Sequence, residues 1–388
     1  MSRMRVLHVH SGNLYGGVET MMLTLARESA RAASMLPNNP GSSASHLHEF
    51  ALAFDARIAS ELRASSATVH RLGAVRVRNP MSVLRARRRL ADLLEANRYR
   101  AVICHMPWAH ALFARTVRRA HLPLVFWMHT APSRHWTERW AAMRKPPDLA
   151  ICNSLFTGAK LPQIFPHRAA EIVYCPVDIS APRLSPAERL ALRGELATPP
   201  DAIVIVQVGR MESLKGHTTL LHALARLRDR NWLCWQVGAA QRPYEQAYLD
   251  GLMRLARELQ IADRVKFLGH RSDVAHLLDA ADIYCQPNLE PDAFGISFIE
   301  ALGAQLPVVT TALGGALEIV DQSCGALVKP NDPAALADAL ARLVDDAEEC
   351  RRLGAAGPAR ALELCDPAAA LRRLDDFIER LHQEPLRT

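Results

Sequence analysis

Short apolar segments alternate along almost the whole chain with longer stretches in which apolar residues recur at helical spacing. The short segments predict strands and the longer ones amphipathic helices. Because most strands are continuously rich in Val, Ile and Leu, we expect parallel sheets covered by helices on both faces. The predicted strands are Arg5–His10, Phe50–Phe54, Ala101–Cys104, Leu122–Met128, Leu149–Cys152, Ile172–Tyr174, Ala202–Val208, Trp232–Val237, Val265–Leu268, Ile283–Cys285 and Pro307–Thr310. The pattern predicts an α/β fold with two Rossmann-like, doubly wound parallel sheets.

The length of 388 residues exceeds what one hydrophobic core normally supports, which favours two domains. A proline-rich break at Cys175–Pro186 leads into a helix that Ser185 is placed to cap. We therefore predict domains over residues 1–180 and 181–366. A final helix, about residues 367–388, is expected to pack back on the first domain. The Pro-, Asn-, Gly- and Ser-rich segment Ala33–His46 predicts a mobile surface loop.

The composition indicates a globular protein, with 49% hydrophobic and 22% charged residues. The chain has no apolar run long enough to span a bilayer and no secretory leader, which predicts a cytoplasmic location. Eight cysteines occur without a C-x-x-C pair, so we expect free buried thiols and no zinc site. The sequence has no Asp-x-Asp element of the kind that binds a metal, so we expect no bound metal.

Positive charge is concentrated in the first half of the chain. Residues 1–180 contain 24 basic and 11 acidic residues, whereas the remainder contains 23 and 29. Arginine is densest between Arg71 and Arg100. Such a patch could bind nucleic acid or an anionic membrane, or be a solvated helix face. Because no aromatic interleaving or nucleic-acid motif accompanies it, we predict no nucleic-acid partner.

Two predicted strands end in glycine-containing turns that suit phosphate binding. The first strand leads through Gly16 and Gly17 into a helix, where backbone N–H groups can face an anion, although a simple tight turn fits equally. The absence of G-x-G-x-x-G spacing argues against a dehydrogenase. After the strand Ala202–Val208 come Gly209, Arg210 and Lys215, whose cations could face a diphosphate. An ion pair between Arg210 and a neighbouring glutamate is the alternative.

A third element combines two acids with a glycine at a predicted helix start. Asp292 and Glu300 enclose Phe294, Gly295 and Ile296. The helix N-terminus could bind phosphate, and Glu300 could accept hydrogen bonds from a ribose diol. The alternative is a helix with surface acids.

Taken in order, these motifs resemble those of GT-B retaining glycosyltransferases of the family 4 type, a family that includes sucrose synthases and bacterial mannosyl- and glucosyltransferases. The resemblance implies two Rossmann-like domains facing a central cleft. It also implies transfer of a sugar from a nucleotide diphosphate carrier, UDP- or GDP-linked, to an acceptor hydroxyl with retention, without a metal or further cofactor.

The resemblance also implies roles for individual residues. Arg210 and Lys215 would neutralise the diphosphate, Gly16 and Gly17 would approach it from the first domain, and Glu300 would hold the ribose. Asp292 stands where the family usually has a glutamate that contacts the transferred sugar, so its carboxylate is one methylene short; Glu290 is a possible substitute that lies off the register. His129 matches the family's histidine near the anomeric carbon. His129 and Asp292 are therefore the candidate catalytic residues.

Several functional alternatives stay open. A nucleotide-sugar epimerase would share the fold, and the Asp292 departure also fits a catalytically silent sugar-nucleotide-binding protein. The acceptor is expected to be a glycan or a lipid-linked molecule, with the basic first domain docked peripherally on an anionic membrane. Tryptophans of that domain could line an acceptor surface, although core packing explains some of them equally well. They are Trp108, Trp127, Trp136 and Trp140.

Overall fold

The computed structural model describes residues 4–35, 46–133, 135–144, 146–180 and 183–383. It forms two compact units, one of Met1–Val177 with Cys365–Thr388 and the other of Asp178–Leu364. The predicted surface loop at Ala33–His46 lies mostly outside the described residues. Its ends contradict the prediction, because the helix that precedes it continues to Met35 and the His46 side chain is buried.

The first unit is built on a seven-stranded, entirely parallel sheet with the order β3-β2-β1-β4-β5-β6-β7. Its strands are β1 (Arg5–His10), β2 (Leu47–Leu52), β3 (Val69–Arg71), β4 (Tyr99–His105), β5 (Leu124–Met128), β6 (Leu149–Cys152) and β7 (Ala170–Ile172). Its helices are α1 (Gly17–Met35), α2 (Arg57–Ala64), α3 (Pro80–Ala96), α4 (Met106–Arg119), α5 (Trp136–Met143) and α6 (Leu155–Lys160), followed by a 3₁₀ turn at Leu161–Gln163.

The second unit contains a six-stranded parallel sheet with the order β10-β9-β8-β11-β12-β13. Its strands are β8 (Ile203–Val208), β9 (Trp232–Val237), β10 (Val265–Gly269), β11 (Ile283–Gln286), β12 (Val308–Thr311) and β13 (Gly325–Val328). Its helices are α7 (Pro186–Glu195), α8 (His217–Ala225), α9 (Pro243–Glu258), α10 (Val274–Ala280), α11 (Ile296–Gly303), α12 (Ala316–Ile319), α13 (Pro333–Asp345) and α14 (Ala347–Cys365), with 3₁₀ turns at Ser213–Lys215 and Ala262–Arg264. The last helix, α15 (Pro367–Gln383), belongs to the first unit.

The central strands form because they bury apolar side chains on both faces. In β5 all five residues are buried, and in β9 all six. At about 25 cal/mol per Å² of buried apolar surface, such strands supply much of the driving force for folding. The helices cover them with apolar faces, as α8 does with Leu220 and Leu224 in the core of the second unit.

The structure contains two strands that the sequence pattern did not predict. These are β3 and β13, and each forms one edge of its sheet. Both are short and only partly buried, so they lack the continuous apolar run that identifies a central strand. In addition, β2 begins at Leu47 rather than Phe50, and β7 ends at Ile172, where the predicted strand began.

Strand order determines where each sheet can bind a ligand. In both sheets the chain first runs outward in one direction and then resumes on the other side of the first strand. This reversal lies between β1 and β4 in the first unit, and between β8 and β11 in the second. Ligands of open parallel sheets bind beyond the carboxyl ends of the strands at this point.

Within the described residues, none of the helices combines the length and the apolar character needed to cross a bilayer.

Candidate functional site

In the second unit, the residues beyond β8 and β11 form two loops that hold each other in place. The Leu289 amide donates to the Leu214 carbonyl at 2.8 Å. Gly216, with φ of 73°, lies so close to Pro287 that an added Cβ would stand 1.8 Å from the Pro287 carbonyl oxygen. Only glycine fits this position, because any side chain would force the loops apart.

Lys215 and Asp292 meet across these two loops. The Lys215 Nζ lies 2.6 Å from Asp292 Oδ2, and both side chains keep some exposure, at 17% and 28%. The backbone of Lys215 is held in place, because its carbonyl accepts a hydrogen bond from the side-chain amide of the buried Gln207 at 2.8 Å. The structure therefore brings together two of the residues that the sequence predicted as donor-binding and catalytic.

Arg210 follows β8 and carries the ion pair that was the alternative interpretation. Its Nη2 lies 2.9 Å from Glu212 Oε1, and its Nη1 lies 3.9 Å from the buried Glu245. The guanidinium is nevertheless 42% exposed, and it has five N–H donors. Structural pairing and anion binding are thus compatible for this side chain.

The Asp292 loop ends where α11 begins. Gly295 is the residue before the helix and has φ of 114°, a left-handed conformation that side-chain-bearing residues rarely adopt. The Asp292 carbonyl accepts a hydrogen bond from the Gly315 amide at 2.9 Å, which anchors the loop to the turn after β12. Phe294 is buried, and Ile296 is the first residue of the helix. Glu290, the possible substitute for Asp292, is exposed.

Glu300 lies one turn into α11, and its charge acts on the buried Tyr284. Burial raises the pKa of Glu300 to about 7. A carboxylate held in such surroundings gains from any ligand hydroxyl that donates to it, because burying a charge without hydrogen bonds is unfavourable. This property fits a diol-binding acid better than a surface one.

In the first unit, the carboxylate of Glu19 lies at the turn that the sequence predicted as a phosphate site. The Gly16 amide donates to Glu19 Oε2 at 3.0 Å, and Glu19 Oε1 lies 2.7 Å from His10 Nε2. Gly17 is the first residue of α1. The Gly16 amide is therefore already satisfied by a carboxylate, so a phosphate at this turn would have to displace Glu19 or use the amides that follow.

His129 follows β5 and is buried. Its Nε2 lies 2.9 Å from His105 Nδ1, and its carbonyl accepts a hydrogen bond from the Asn153 amide at 3.3 Å. Burial, with a smaller effect from the nearby His10, lowers the pKa of His129 to about 3, so the ring is neutral at physiological pH. Among the described residues, no group hydrogen-bonds to its Nδ1.

Trp127 does not line a surface, and the alternative of core packing holds for it. Its ring is fully buried and packs against both His105 and His129, with ring centroids 5.4 and 5.3 Å away. A tryptophan two residues before His129 on the same face serves as packing for the histidine. Trp136 and Trp140 are exposed, whereas Trp108 is half-buried against Phe113.

The sequence motifs missed several polar residues that shape these sites. They are buried side chains within or next to strands and helices, namely His8, His10, Glu19, His105, Gln207, Gln286 and Asn288. The available signal was a polar residue in an otherwise apolar strand, as in the β8 sequence IVIVQV. In the described part of the chain, no group of three or more His, Cys, Asp or Glu side chains is arranged to hold a metal ion.

Comparison with known sequences and structures identifies the family. Residues 15–181 match the model for Glycosyltransferase Family 4, and residues 188–360 match that for Glycosyl transferases group 1. A D-inositol 3-phosphate glycosyltransferase of Streptomyces griseus is 35% identical over 189 residues, which cover 46% of this chain and 40% of that protein. The corresponding protein of Nocardia farcinica is 31% identical over 226 residues, covering 55% and 49%. The matches thus span less than half the length of these curated relatives.

Solved structures share the fold over almost the full chain. Anabaena HepE in complex with UDP-glucose has a TM-score of 0.83 at 22% identity and covers 97% of this chain and 100% of its own. A glycosyltransferase from Rickettsia africae has a TM-score of 0.84 at 18% identity, covering 99% and 100%. One family model accounts for most of the first unit and the other for most of the second, and the neighbours are GT-B glycosyltransferases. The chain therefore has the GT-B fold, with residues 15–181 belonging to Glycosyltransferase Family 4 and residues 188–360 to the Glycosyl transferases group 1 family.

Proposed function

We propose that this protein transfers a sugar from a UDP- or GDP-linked donor to an acceptor hydroxyl with retention of configuration. The contact between Lys215 and Asp292 carries the proposal. It places a cation suited to phosphate and an acid suited to sugar hydroxyls next to each other at the carboxyl edge of the second sheet. The UDP and UDP-glucose bound in the Anabaena HepE structures support a nucleotide sugar as donor.

Donor binding would exchange the partners of these charged groups. When a diphosphate takes Lys215, Asp292 loses its ion pair and becomes free to accept hydrogen bonds from the transferred sugar. The exposed part of the Arg210 guanidinium supplies a second cation. As the glycosidic bond breaks, negative charge grows on the departing phosphate, and preorganised cations stabilise that charge without a metal. Glu300 would accept hydrogen bonds from the ribose, and His129 would contact the sugar.

The test measures binding and stereochemistry separately. UDP, GDP and their glucose and mannose conjugates are first screened by thermal shift, because a ligand of the folded state raises the melting temperature. The best donor is then incubated with acceptors in EDTA, with D-inositol 3-phosphate and lipid-linked sugars tried first, and the anomeric configuration of the product is read by NMR. Retention in EDTA supports the proposal, whereas inversion or strict metal dependence contradicts it.

One observation favours a second candidate, a sugar-nucleotide-binding protein without catalysis. The Asp292 side chain is one methylene shorter than the family's glutamate, and it is drawn to Lys215. Donor binding without turnover, together with turnover in Asp292→Glu, would establish this candidate. Epimerisation of the donor incubated alone would instead identify an epimerase.

The acceptor side of the proposal rests on a basic groove between α3 and α4. The groove has a volume of about 700 Å³, and its lining includes Arg87, Arg88, Arg115 and Arg119. Burial and the charges of Arg144, Arg115 and Arg119 lower the pKa of Arg87, so the cluster is electrostatically strained. An anion would relieve that repulsion.

Exposed apolar side chains accompany these arginines. Met81 and Leu84 are 60% and 59% exposed on α3, and Trp136 and Trp140 are 45% and 38% exposed on α5. Arginine with exposed tryptophan and aliphatic side chains is typical of surfaces that lie at a membrane interface. We therefore propose that the first unit docks on anionic lipid and meets a lipid-linked acceptor there.

Vesicle sedimentation tests this docking. Arg88→Glu with Trp140→Ala should reduce partition onto phosphatidylglycerol vesicles at least about tenfold, since each basic residue near such a surface contributes about 1 kcal/mol. The matched control is Arg351→Glu, an exposed arginine of the second unit. Equal binding of the unmodified protein to neutral and anionic vesicles would refute the idea.

A further inference from the structure

Four adjacent strands of the first sheet place a histidine on the same face. His48 on β2 is paired with Val6, and His8 lies two residues further along β1. His8 is paired with Ile103, and His105 lies two residues further along β4. His105 is paired with Trp127, and His129 again follows two residues later. A step of two residues keeps a side chain on the same face, so these four residues form a diagonal that we call the histidine row.

The members of the histidine row are joined by hydrogen bonds into one continuous chain. His48 Nδ1 lies 2.7 Å from His8 Nε2, His8 Nδ1 lies 2.8 Å from His105 Nε2, and His105 Nδ1 lies 2.9 Å from His129 Nε2. Neighbouring ring centroids are 5.0 to 5.1 Å apart. The row rises from the interior of β2 to the carboxyl edge of the sheet, where β5 ends.

Asp375, on the last helix α15, terminates the row at its inner end. Its Oδ1 lies 3.2 Å from His48 Nε2. The same carboxylate accepts from His46 Nδ1 at 2.9 Å and from the His46 amide at 3.1 Å. Burial acts to raise the pKa of Asp375, but the hydrogen bonds from His46 and His48 outweigh it and hold that pKa below its usual range. An ionised carboxylate only accepts hydrogen bonds.

The carboxylate at the end of the row determines which nitrogen of each ring carries the proton. Burial is the main reason that the pKa values of His8 and His105 lie well below the usual value, so both rings are neutral at physiological pH, as is His129. A neutral imidazole has one donor and one acceptor nitrogen. If His48 is a neutral ring that donates from Nε2 to Asp375, its Nδ1 must accept from His8, whereas a charged His48 would donate to His8 and reverse the row. The same rule passes along His8 and His105 and makes His129 donate from Nε2.

We propose that Asp375 is a positioning residue that fixes the tautomer of His129 through the histidine row, so that His129 presents a bare Nδ1 to a sugar hydroxyl. This inference rests on the proposed glycosyl transfer, which makes His129 a ligand-contacting residue. The Nδ1 is a buried nitrogen without a partner among the described residues. A hydroxyl donor of the ligand would satisfy it, whereas the opposite tautomer would present an N–H group instead. A carboxylate that holds a catalytic histidine in one tautomer is a known device of hydrolases, here extended across three intervening rings.

The experiment uses the full chain labelled with ¹⁵N-histidine, whose two-bond ¹H–¹⁵N spectra at pH 7 distinguish the two neutral tautomers. In the unmodified protein we expect His129 and His105 as Nε2–H forms. His8→Phe keeps a flat ring against Phe50 but cuts the row, so both tautomers of His129 should appear. His8→Gln is the matched control, because its amide offers one donor and one acceptor about as far apart as the ring nitrogens. It should restore the Nε2–H form.

Transfer activity is measured on the same proteins. We expect kcat/KM to fall about tenfold to a hundredfold in His8→Phe, the effect of one lost or misdirected hydrogen bond to a buried group, and to recover in His8→Gln. An Nδ1–H form of His129 in the unmodified protein, or an unchanged tautomer in His8→Phe, would overturn the inference. So would a changed tautomer with unchanged activity. Absence of transfer in the unmodified protein would instead contradict the proposed function, since the spectra test the tautomer independently.

Discussion

The two units share one strand order, yet the carboxyl edges of their sheets have different chemistry. In the second unit the edge carries partly exposed charges, with Lys215 paired to Asp292 and Arg210 to Glu212. In the first unit the corresponding edge carries buried neutral imidazoles, of which His129 is the last. The same strand order therefore supports one edge with partly exposed charges and one edge with buried, hydrogen-bonded neutral rings.

This difference matches the two parts of a nucleotide sugar. The diphosphate is charged and is bound by cations. The sugar is neutral and is bound through the direction of the hydrogen bonds that its hydroxyl groups donate and accept. Charged side chains are tolerated only where water or an opposite charge compensates them, but neutral rings can be fully buried. The charged edge therefore suits a phosphate ligand, and the neutral edge suits a ligand hydroxyl.

Removing the central cation of the charged edge is the strongest way to break this comparison. Lys215→Ala should lower kcat/KM for transfer by about 1000-fold, the scale for losing one preorganised group that stabilises charge in the transition state. The melting temperature should change little, because a partly exposed ion pair contributes only about 1 kcal/mol. Lys329→Ala, an exposed lysine of the same unit, is the control. Near-normal turnover in Lys215→Ala would remove the charged edge from the mechanism.

Glu300 sharpens the comparison, since it is an acid whose surroundings resemble the buried edge. Its folded pKa of about 7 exceeds the unfolded value of about 4.3, so the folded state retains the proton longer and stability falls as the pH rises between these values. Glu300→Gln should therefore raise the melting temperature more at pH 8 than at pH 5. It should also weaken nucleoside diphosphate binding about tenfold, through poorer acceptance of the ribose hydroxyls.

The exposed Glu290→Gln in the same loop is the control for both measurements and should change neither. If Glu300→Gln binds the nucleotide as tightly as the unmodified protein, Glu300 is not the ribose acceptor. If its melting temperature shows no dependence on pH relative to the control, burial does not act on this carboxyl as described.

The smallest expected effect concerns the anchor of the neutral edge. Burial disfavours a charged His46 ring, but hydrogen bonds and charges from Asp375 and Glu379 outweigh it and raise the pKa of His46. The stabilisation from this group is thus fully present below the unfolded pKa of about 6.5 and is lost as the pH rises through the raised value. The contribution of Asp375, whose pKa is lowered, is instead lost as the pH falls below about 4.

His46→Gln should accordingly reduce the free energy of unfolding by about 1 kcal/mol at pH 6, and by less at pH 9. Urea unfolding at the two pH values measures this difference. The exposed His167→Gln in the same unit is the control. An equal loss at both pH values would show that His46 stabilises the helix as a neutral ring.

The sequence pattern predicted most of the strands, because central strands of parallel sheets are continuous apolar segments that can be recognised locally. The boundaries of β1, β6 and β9 agree with the prediction. The edge strands β3 and β13 were missed, since their stability comes from pairing with a neighbour that the local sequence does not specify. Ser185 was recognised as a helix cap because capping depends only on nearby residues, and its side chain does accept from the Glu188 amide.

The sites divided in the same way. The sequence predicted Lys215 and Asp292 as site residues, because each lies in a motif that follows a strand end. It did not predict that the two side chains form an ion pair. The histidine row could not be read from the sequence, because it depends on the register of four strands that are distant in the chain. Glu19 was also missed as a partner of Gly16, even though a Glu three residues after a helix-capping position is a recognised local signal.

The bond between His46 and Asp375 joins residues that are 329 positions apart. During synthesis, all seven strands of the first sheet leave the ribosome, followed by the whole second unit, before that carboxylate is made. Until then His46 and His48 lack their shared acceptor, and the ring at the far end of the row has no fixed proton. We expect the second unit of the nascent chain to be complete before the histidine row is ordered, which makes α15 the element that fixes the proton positions in the first sheet.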